Sequence, residues 1–219
     1  MTKTYLLILF GVVNNLATRA QDIPMPENYS IVDTVTGDLD NDGQPELVAA
    51  YNTKQDSSDE GVPRELIIYK RENNKWIVWK KSEHALYGSR DGGMMGDPFE
   101  EMKIEKGILQ ISHSGGSSWK WGHSDKYRYQ DGEFALIGYS SLAGKPCEYW
   151  QNVDFNLSTG KMIVKKEYED CDKGQEIYKR QNETLLKKGL KITLQNRNEK
   201  EIKFVTPKYK HEIYVAIKI

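Results

Sequence analysis

The sequence predicts a mainly β fold built of antiparallel meanders, and two observations support this prediction. Short segments rich in Ile, Val, Tyr and Trp recur along the 219 residues, which is typical of strands. Turn-forming pairs such as Asp42-Gly43, Asn73-Asn74 and Asp131-Gly132 separate several of these segments by two to five residues, the spacing of consecutive hairpins. We therefore expect a single continuous domain, either partly propeller-like or an irregular β-sandwich.

The candidate strands follow one another along the whole chain. They are residues 46–51, 65–69, 75–79, 108–112, 126–129, 134–139, 149–155, 161–168, 191–194, 202–205 and 213–217. A helix is indicated only over 175–188, where Ile177, Leu185 and Leu186 supply apolar anchors. Because a second half of this size is small for a core of its own, we expect a β domain over 21–141, with a hairpin region over 142–219 packed on it.

The first 20 residues have the pattern of a secretory signal peptide. Lys3 precedes the apolar run 5–13, and Thr18-Arg19-Ala20 ends in the small residues of a cleavage site. The run is too short to span a bilayer, which takes about 20 residues, and no later stretch is long enough. We expect cleavage near Ala20 and a periplasmic or secreted protein. An uncleaved anchor or a buried first strand is the alternative.

Export would permit a disulfide between the two cysteines, Cys147 and Cys171. Ser158-Thr159-Gly160 lies midway between them and resembles a three-residue hairpin loop. In the register set by that loop, Cys147 lies directly opposite Cys171 on the adjacent strand, within bridging distance. The sequence therefore predicts a hairpin disulfide, with two free thiols as the alternative.

The charges nearly cancel, at 31 bases against 32 acids, but they are unevenly placed. Residues 21–60 hold ten acids and one base, whereas residues 161–219 hold 15 bases and nine acids. The balance argues against nucleic-acid binding, which needs a clearly basic surface. The lysines of the C-terminal region alternate with apolar residues, as on half-exposed strands. The alternative is a surface for an anionic partner, either a polysaccharide or an acidic protein.

An acidic turn is the sharpest motif in the chain. Asp38, Asp40 and Asp42 stand at alternate positions, Gly43 permits a tight turn, and Gln44 and Glu46 follow. Four carboxylates within nine residues repel one another unless a cation lies among them, and hard oxygen ligands favour Ca²⁺. We expect Ca²⁺ to be bound by Asp38, Asp40, Asp42, Gln44 and Glu46. A metal-free Asp/Gly-rich turn is the alternative.

The motif matches the first half of an EF-hand loop and then departs from it, because Ala49 stands where a bidentate Glu belongs. It resembles more closely the FG-GAP or VCBS repeat of integrin-α-like β-propellers, in which Glu46 would replace the last Asp. The resemblance covers about residues 30–80 and implies a strand–loop–strand turn braced by Ca²⁺. Because no second Asp-x-Asp-x-Asp-Gly motif follows, it implies one propeller-like unit within a larger β domain.

A segment rich in Gly, Ser and Trp covers residues 92–122. It contains Asp97-Pro98-Phe99, then His113-Ser114-Gly115-Gly116-Ser117, then Trp119 and Trp121. It resembles a segment of uncharacterised exported bacterial proteins, a likeness that implies no activity. Trp119 and Trp121 would share one face of a strand, where with His113 they would bind a sugar ring or a protein partner. The alternative is that both indoles pack in the core.

The sequence thus favours an exported, non-enzymatic, calcium-binding interaction module, which we expect to be a monomer with a protein or polysaccharide partner. The first alternative is a periplasmic inhibitor or immunity-type protein that covers the active site of another protein. The second is a hydrolase in which His113 acts with Ser114 or Ser117 and with Asp125. No Gly-x-Ser-x-Gly elbow accompanies those residues.

Overall fold

The computed structural model describes residues 23–53, 61–174 and 176–218. Its first sheet is a four-stranded antiparallel meander in which each strand pairs with the next along the chain. The strands are β1 (Ser30–Gly37), β2 (Glu46–Asn52), β3 (Arg64–Glu72) and β4 (Lys75–Ser82). The sheet buries apolar side chains on both faces: Val48, Ala50, Leu66 and Ile68 lie in the main core, and Leu47, Ala49, Tyr51, Ile67 and Tyr69 form a second cluster.

The second sheet is a seven-stranded antiparallel meander, again in sequence order. Its strands are β5 (Phe99–Glu105), β6 (Ile108–Gly116), β7 (Lys120–Gln130), β8 (Glu133–Lys145), β9 (Tyr149–Asn156), β10 (Lys161–Asp170) and β11 (Glu176–Leu186). Buried side chains alternate with exposed ones along these strands, as in β6 and β9. The sheet therefore has an inner face, which contributes Leu109, Tyr127, Phe155 and Val164 to the main core, and an outer face.

A two-stranded antiparallel sheet completes the fold with β12 (Ile202–Val205) and β13 (Glu212–Ala216). The helical elements in the described ranges are three single 3₁₀ turns, at Gly93–Met95, Cys171–Lys173 and Leu194–Asn196. Within the same ranges, no helix has both the length and the apolar character that crossing a bilayer requires.

Two covers lie on the inner face of the seven-stranded sheet. The four-stranded sheet is the first: Trp79 packs 4.5 Å from Tyr129 and 5.1 Å from Phe134, measured between ring centroids. The segment from the end of β11 to β13 is the second: Phe204 packs on Phe155, and Tyr139 donates a hydrogen bond to the Tyr214 carbonyl (3.0 Å). The architecture is an irregular antiparallel sandwich with its main core between the large sheet and these covers.

The structure confirms the mainly β fold of antiparallel meanders. Nine of the eleven predicted strands fall within observed strands, and the segment 213–217 overlaps β13 except at its last residue. The segment 191–194 instead makes a single bridge from Thr193 to Ala135 before a 3₁₀ turn. The predicted helix over 175–188 is wrong, because β11 pairs with β10 over its whole length. The ladder stabilises this segment more than its few apolar residues would stabilise an isolated helix. The predicted boundary at residue 142 falls inside β8.

The disulfide between Cys147 and Cys171 is confirmed, with the two Cα atoms 5.0 Å apart. Its predicted placement is wrong by one residue. The β9–β10 connection has four residues, 157–160, so Lys161 pairs with Asn156 and not with Leu157. Cys147 therefore lies in the β8–β9 turn, and Cys171 lies in the 3₁₀ turn after β10. The bond joins two loops beside the same pair of strands. The predicted signal peptide lies outside the described residues.

Candidate functional site

The acidic loop, residues 38–46, connects β1 to β2, and its carboxylates hold its own backbone in place. Gly43 N donates to Asp38 Oδ2 (3.0 Å), and Gln44 N donates to Asp42 Oδ1 (2.8 Å). Glu46, which is 2% exposed at the start of β2, accepts from Leu39 N (2.7 Å). Gly43 has a φ of +86°, which the sharp turn requires and which favours glycine. The loop is thus closed by bonds from backbone amides to acidic side chains.

The three aspartates of the loop converge. Asp38, Asp40 and Asp42 each offer a carboxylate oxygen within 4.8 Å of the others. Asp38 Oδ1 is buried and has no hydrogen-bond partner in the structure. Buried carboxylate oxygens carry a desolvation cost unless a donor or a cation meets them. Three of the predicted ligands, Asp38, Asp40 and Asp42, therefore lie around one point. Glu46 is not part of that group and bonds Leu39 N, and Gln44 contributes a backbone amide to the same loop.

Lys70, on the neighbouring strand β3, reaches into the acidic loop. Its ammonium pairs with Asp40 and lies 3.8 Å from Asp42 Oδ2 and 4.0 Å from Glu46 Oε1. Burial alone would lower the pKa of Lys70, but the pairing with Asp40 outweighs it and raises the pKa. Burial raises the pKa of Glu46. Sequence spacing does not indicate this lysine, because the β2–β3 pairing brings it to Asp40 from 30 positions away.

A second candidate site is the aromatic cleft, a cavity of about 530 Å³ at the seam between the two covers. Its floor is the inner face of β7, β8 and β9; the loop after β4 forms one wall and β13 the other. Ring side chains dominate its lining: Tyr87, Trp121, His123, Tyr139, Tyr149 and Tyr214. Cavities of this size with aromatic walls are typical of small-molecule sites.

A few polar groups converge at the rim of the cleft. Gln151 Nε2 donates to the Glu212 carbonyl (3.0 Å), and Tyr214 donates to Glu212 Oε2 (3.1 Å). Across the cavity, Asp91 Oδ2 accepts from Gly88 N (2.6 Å). These bonds hold an amide, a phenol and two carboxylates in fixed positions around apolar walls, and this combination orients a polar ligand.

The two predicted tryptophans occupy different places. Trp121, on β7, lines the cleft and packs 5.6 Å from Tyr87. Trp119 precedes β7 in the hairpin loop, is 44% exposed, and packs 5.2 Å from Tyr149. Neither belongs to a buried core cluster. The structure therefore brings both indoles near Tyr149, one on the inner face and one at the tip of the hairpin.

His113 is buried, at 2% exposed, behind the cleft. It pairs across the β6–β7 ladder with His123, which does line the cavity, and their ring centroids are 5.3 Å apart. Both ring nitrogens of His113 have no hydrogen-bond partner in the structure. Burial, together with the neighbouring His123, lowers the pKa of His113 to about 3, so the imidazole is neutral at physiological pH.

The residues of the predicted hydrolase do not meet. Ser114 points to the outer face, where its hydroxyl bonds Glu100, and Ser117 lies in the hairpin loop. Asp125 is 1% exposed and forms a two-bond ion pair with Arg197, at 2.6 and 3.0 Å. Burial opposes ionisation of Asp125, but Arg197 outweighs it and holds the pKa of Asp125 low. The Asp125–Arg197 pair ties the segment before β12 to the large sheet.

Comparison with models of known protein families, with curated proteins and with solved structures finds no match to this chain. The residues of the acidic loop and the cleft must therefore be interpreted from their own geometry.

Proposed function

We propose that this protein is an exported, non-enzymatic, calcium-binding interaction module whose ligand enters the aromatic cleft. The observation that supports this proposal is the cleft itself, which has a volume of about 530 Å³, walls of six ring side chains and a rim of fixed polar groups. Aromatic walls contribute large contact area at little entropic cost, and the polar rim supplies orientation.

Calcium would brace the turn between β1 and β2. Three aspartates converge there, and Asp38 Oδ1 is buried without a donor. Carboxylate oxygens in a turn with a central glycine suit Ca²⁺. Lys70 supplies a positive charge to the same carboxylates, so Ca²⁺ would have to displace its ammonium. This competition is consistent with the weak affinity that suffices outside cells, on the order of 0.1–1 mM.

Export is supported by two features. The disulfide between Cys147 and Cys171 is compatible with an oxidising compartment. The first 20 residues carry the pattern of a secretory signal peptide.

Affinity capture tests the cleft as the binding site. The immobilised protein is incubated with envelope and culture-medium fractions of the source cells, beside the variants Trp121→Ala and Trp150→Ala. Trp121 lines the cleft, whereas Trp150 lies on the outer face of the same sheet. We expect a ligand that the native protein and Trp150→Ala retain and that Trp121→Ala loses. Equal retention by all three would contradict the proposal, provided that their melting temperatures agree.

An inhibitor is the second candidate, favoured by a pair of projecting loops. The turn at 92–96 is bound to the β6–β7 hairpin through Gly116 N and Gly92 O (2.8 Å). It displays Met94, which is 89% exposed, and the hairpin displays Trp119. Backbone-pinned loops with exposed apolar tips suit insertion into the active site of another protein. In the capture experiment this function would make Trp119→Ala, and not Trp121→Ala, the variant that loses its partner.

A further inference from the structure

The inner face of the seven-stranded sheet extends beyond both covers. On β10 the alternation that places Met162 and Val164 in the main core continues as Lys166 and Tyr168, which are only half-buried. Tyr168 pairs in register with Tyr149 on β9 and with Lys179 on β11. Tyr149, Lys166, Tyr168 and Lys179 thus form a basic-aromatic row on the uncovered end of the core face.

The two ammonium groups of the row lie against rings and not against acids. Lys166 Nζ is 3.4 Å from the Tyr149 ring centroid and 5.4 Å from that of Tyr168. Lys179 Nζ is 4.6 Å from the Tyr168 centroid. Among the described residues, neither lysine has a carboxylate oxygen within the 4.0 Å of an ion pair. Cation–π contacts compensate such charges only in part.

The acidic side chains around the row are engaged elsewhere. Glu212 pairs with Lys203 at 2.7 Å, and Glu148 pairs with Lys145 at 3.6 Å. Glu183, on the same face and one row nearer the core, accepts from the backbone of Lys208 (2.9 Å) and Tyr209 (3.3 Å). Glu169 accepts from Cys147 N (3.3 Å). None of these four carboxylates is therefore the ion-pair partner of Lys166 or Lys179.

The row is also the middle of a longer run of rings. Trp119, Tyr149, Tyr168 and Tyr178 follow one another with centroid separations of 5.2, 5.9 and 6.3 Å. Tyr178 is 62% exposed and is the extra residue of a bulge in β11. Because Tyr149 also lines the aromatic cleft, the run leads from the cavity to the edge of the sheet. A run of this kind fits an extended chain of rings.

We propose that the basic-aromatic row binds an anionic polysaccharide, with sugar rings stacked on Tyr149 and Tyr168 and carboxylate or sulfate groups paired with Lys166 and Lys179. The row and the cleft would then form one extended site, so the proposal rests on the proposed binding function and names its ligand class. An acidic polypeptide would satisfy the lysines but would not account for the continuous run of rings. Burial and the neighbouring Lys179 lower the pKa of Lys166, a repulsion that a bound anion would relieve.

Calorimetric titration of the full protein tests the row with three probes: oligogalacturonate, its neutral methyl ester, and polyglutamate. The variants are Lys166→Met, Tyr168→Leu and the matched control Lys165→Met, which removes a lysine from the outer face of the same strand. We expect oligogalacturonate to bind, and Lys166→Met and Tyr168→Leu each to weaken it about tenfold, whereas Lys165→Met changes it less than about twofold. Binding should also weaken with added salt.

Other outcomes would overturn the proposal. No binding of oligogalacturonate, equal binding of its methyl ester, or equal losses in Lys166→Met and Lys165→Met would each exclude a specific anionic-saccharide site. Tighter binding of polyglutamate would assign the row to an acidic polypeptide. The proposed function fails separately, because its readouts are the calcium response and the Trp121-dependent capture, neither of which uses Lys166.

Discussion

The acidic loop and the basic-aromatic row collect like charges in opposite ways. In the loop, several carboxylates lie within nine residues, and backbone amides and Lys70 partly satisfy them. In the row, two lysines come together from neighbouring strands and lie over tyrosine rings. A local cluster of acids can be recognised in the sequence, whereas a cluster assembled across strands cannot. Both bring like charges close together.

The buried Asp125–Arg197 ion pair contrasts with both clusters, because there the protein itself supplies both the negative and the positive charge. Arg197→Met leaves Asp125 buried and unpaired, and we expect it to lower the free energy of unfolding by about 3–5 kcal/mol. Chemical denaturation measures the loss. A change near zero would mean that water reaches Asp125, and this would remove the contrast between this closed pair and the two clusters of like charge.

Removing the disulfide should affect the basic-aromatic row and leave the acidic loop unchanged. Cys147 and Cys171 flank the strands that carry Tyr149 and Tyr168, and closing a loop of 24 residues stabilises by about 3 kcal/mol in the chain-entropy model. We expect Cys147→Ser to lower stability by that amount and to weaken oligogalacturonate binding. The acidic loop lies in the other sheet, so the increment that calcium adds to the melting temperature should not change. A loss of the calcium increment would contradict this separation.

Lys70→Met tests whether Lys70 and calcium compete in the acidic loop, since it removes the positive charge that already lies there. Without calcium, the carboxylates lose a partly exposed ion pair, and we expect a loss of about 1 kcal/mol. With calcium, the same variant should bind the ion more tightly than the native protein, because no ammonium has to be displaced. Calorimetry of both proteins decides the sign; weaker calcium binding by Lys70→Met would refute the competition.

His113→Phe should have the smallest effect at neutral pH, a gain of about 1 kcal/mol, because an imidazole with no hydrogen-bond partner becomes an apolar ring. The effect should grow in acid. The native pKa of about 3 lies below the ordinary 6.5, so the unfolded chain binds the proton first and stability falls as the pH drops below about 6.5.

Between these two pKa values, His113 lowers the free energy of unfolding by up to about 1.4 kcal/mol for each pH unit of acidification. The variant His113→Phe should lack this contribution. His123, whose pKa is lowered to about 4 by burial, should still contribute its own fall in the variant. Thermal melts across pH compare the two proteins. Parallel pH profiles would show that His113 is not held neutral.

Local patterns predicted much of this fold, and long-range contacts account for what they missed. Alternation and turn residues located most strands, because both are properties of a few adjacent residues. The one-residue error in the β9–β10 register arose because Leu157 joins the turn, a choice between three and four residues that Ser158-Thr159-Gly160 does not determine. The prediction of a helix over 175–188 was wrong because pairing with β10 makes that segment a strand.

The candidate sites show the same difference between local patterns and long-range contacts. The acidic loop was found from spacing alone, whereas Lys70, Arg197 and the basic-aromatic row depend on the order of strands and on contacts between distant segments. The pairing of His113 with His123 follows from the β6–β7 hairpin, whose loop is residues 117–119, so counting outward from that loop would have found it.

Calcium titration, followed by the melting temperature of the purified protein, tests the central claim most directly. We expect a saturable rise, worth about 1.4 kcal/mol of stability when free calcium is about tenfold above Kd. Asp40→Ala should abolish the rise, and Asp154→Ala, which removes an exposed aspartate from the outer face of β9, should keep it. No response in the native protein, or an equal response in Asp40→Ala, would contradict a calcium site in the acidic loop.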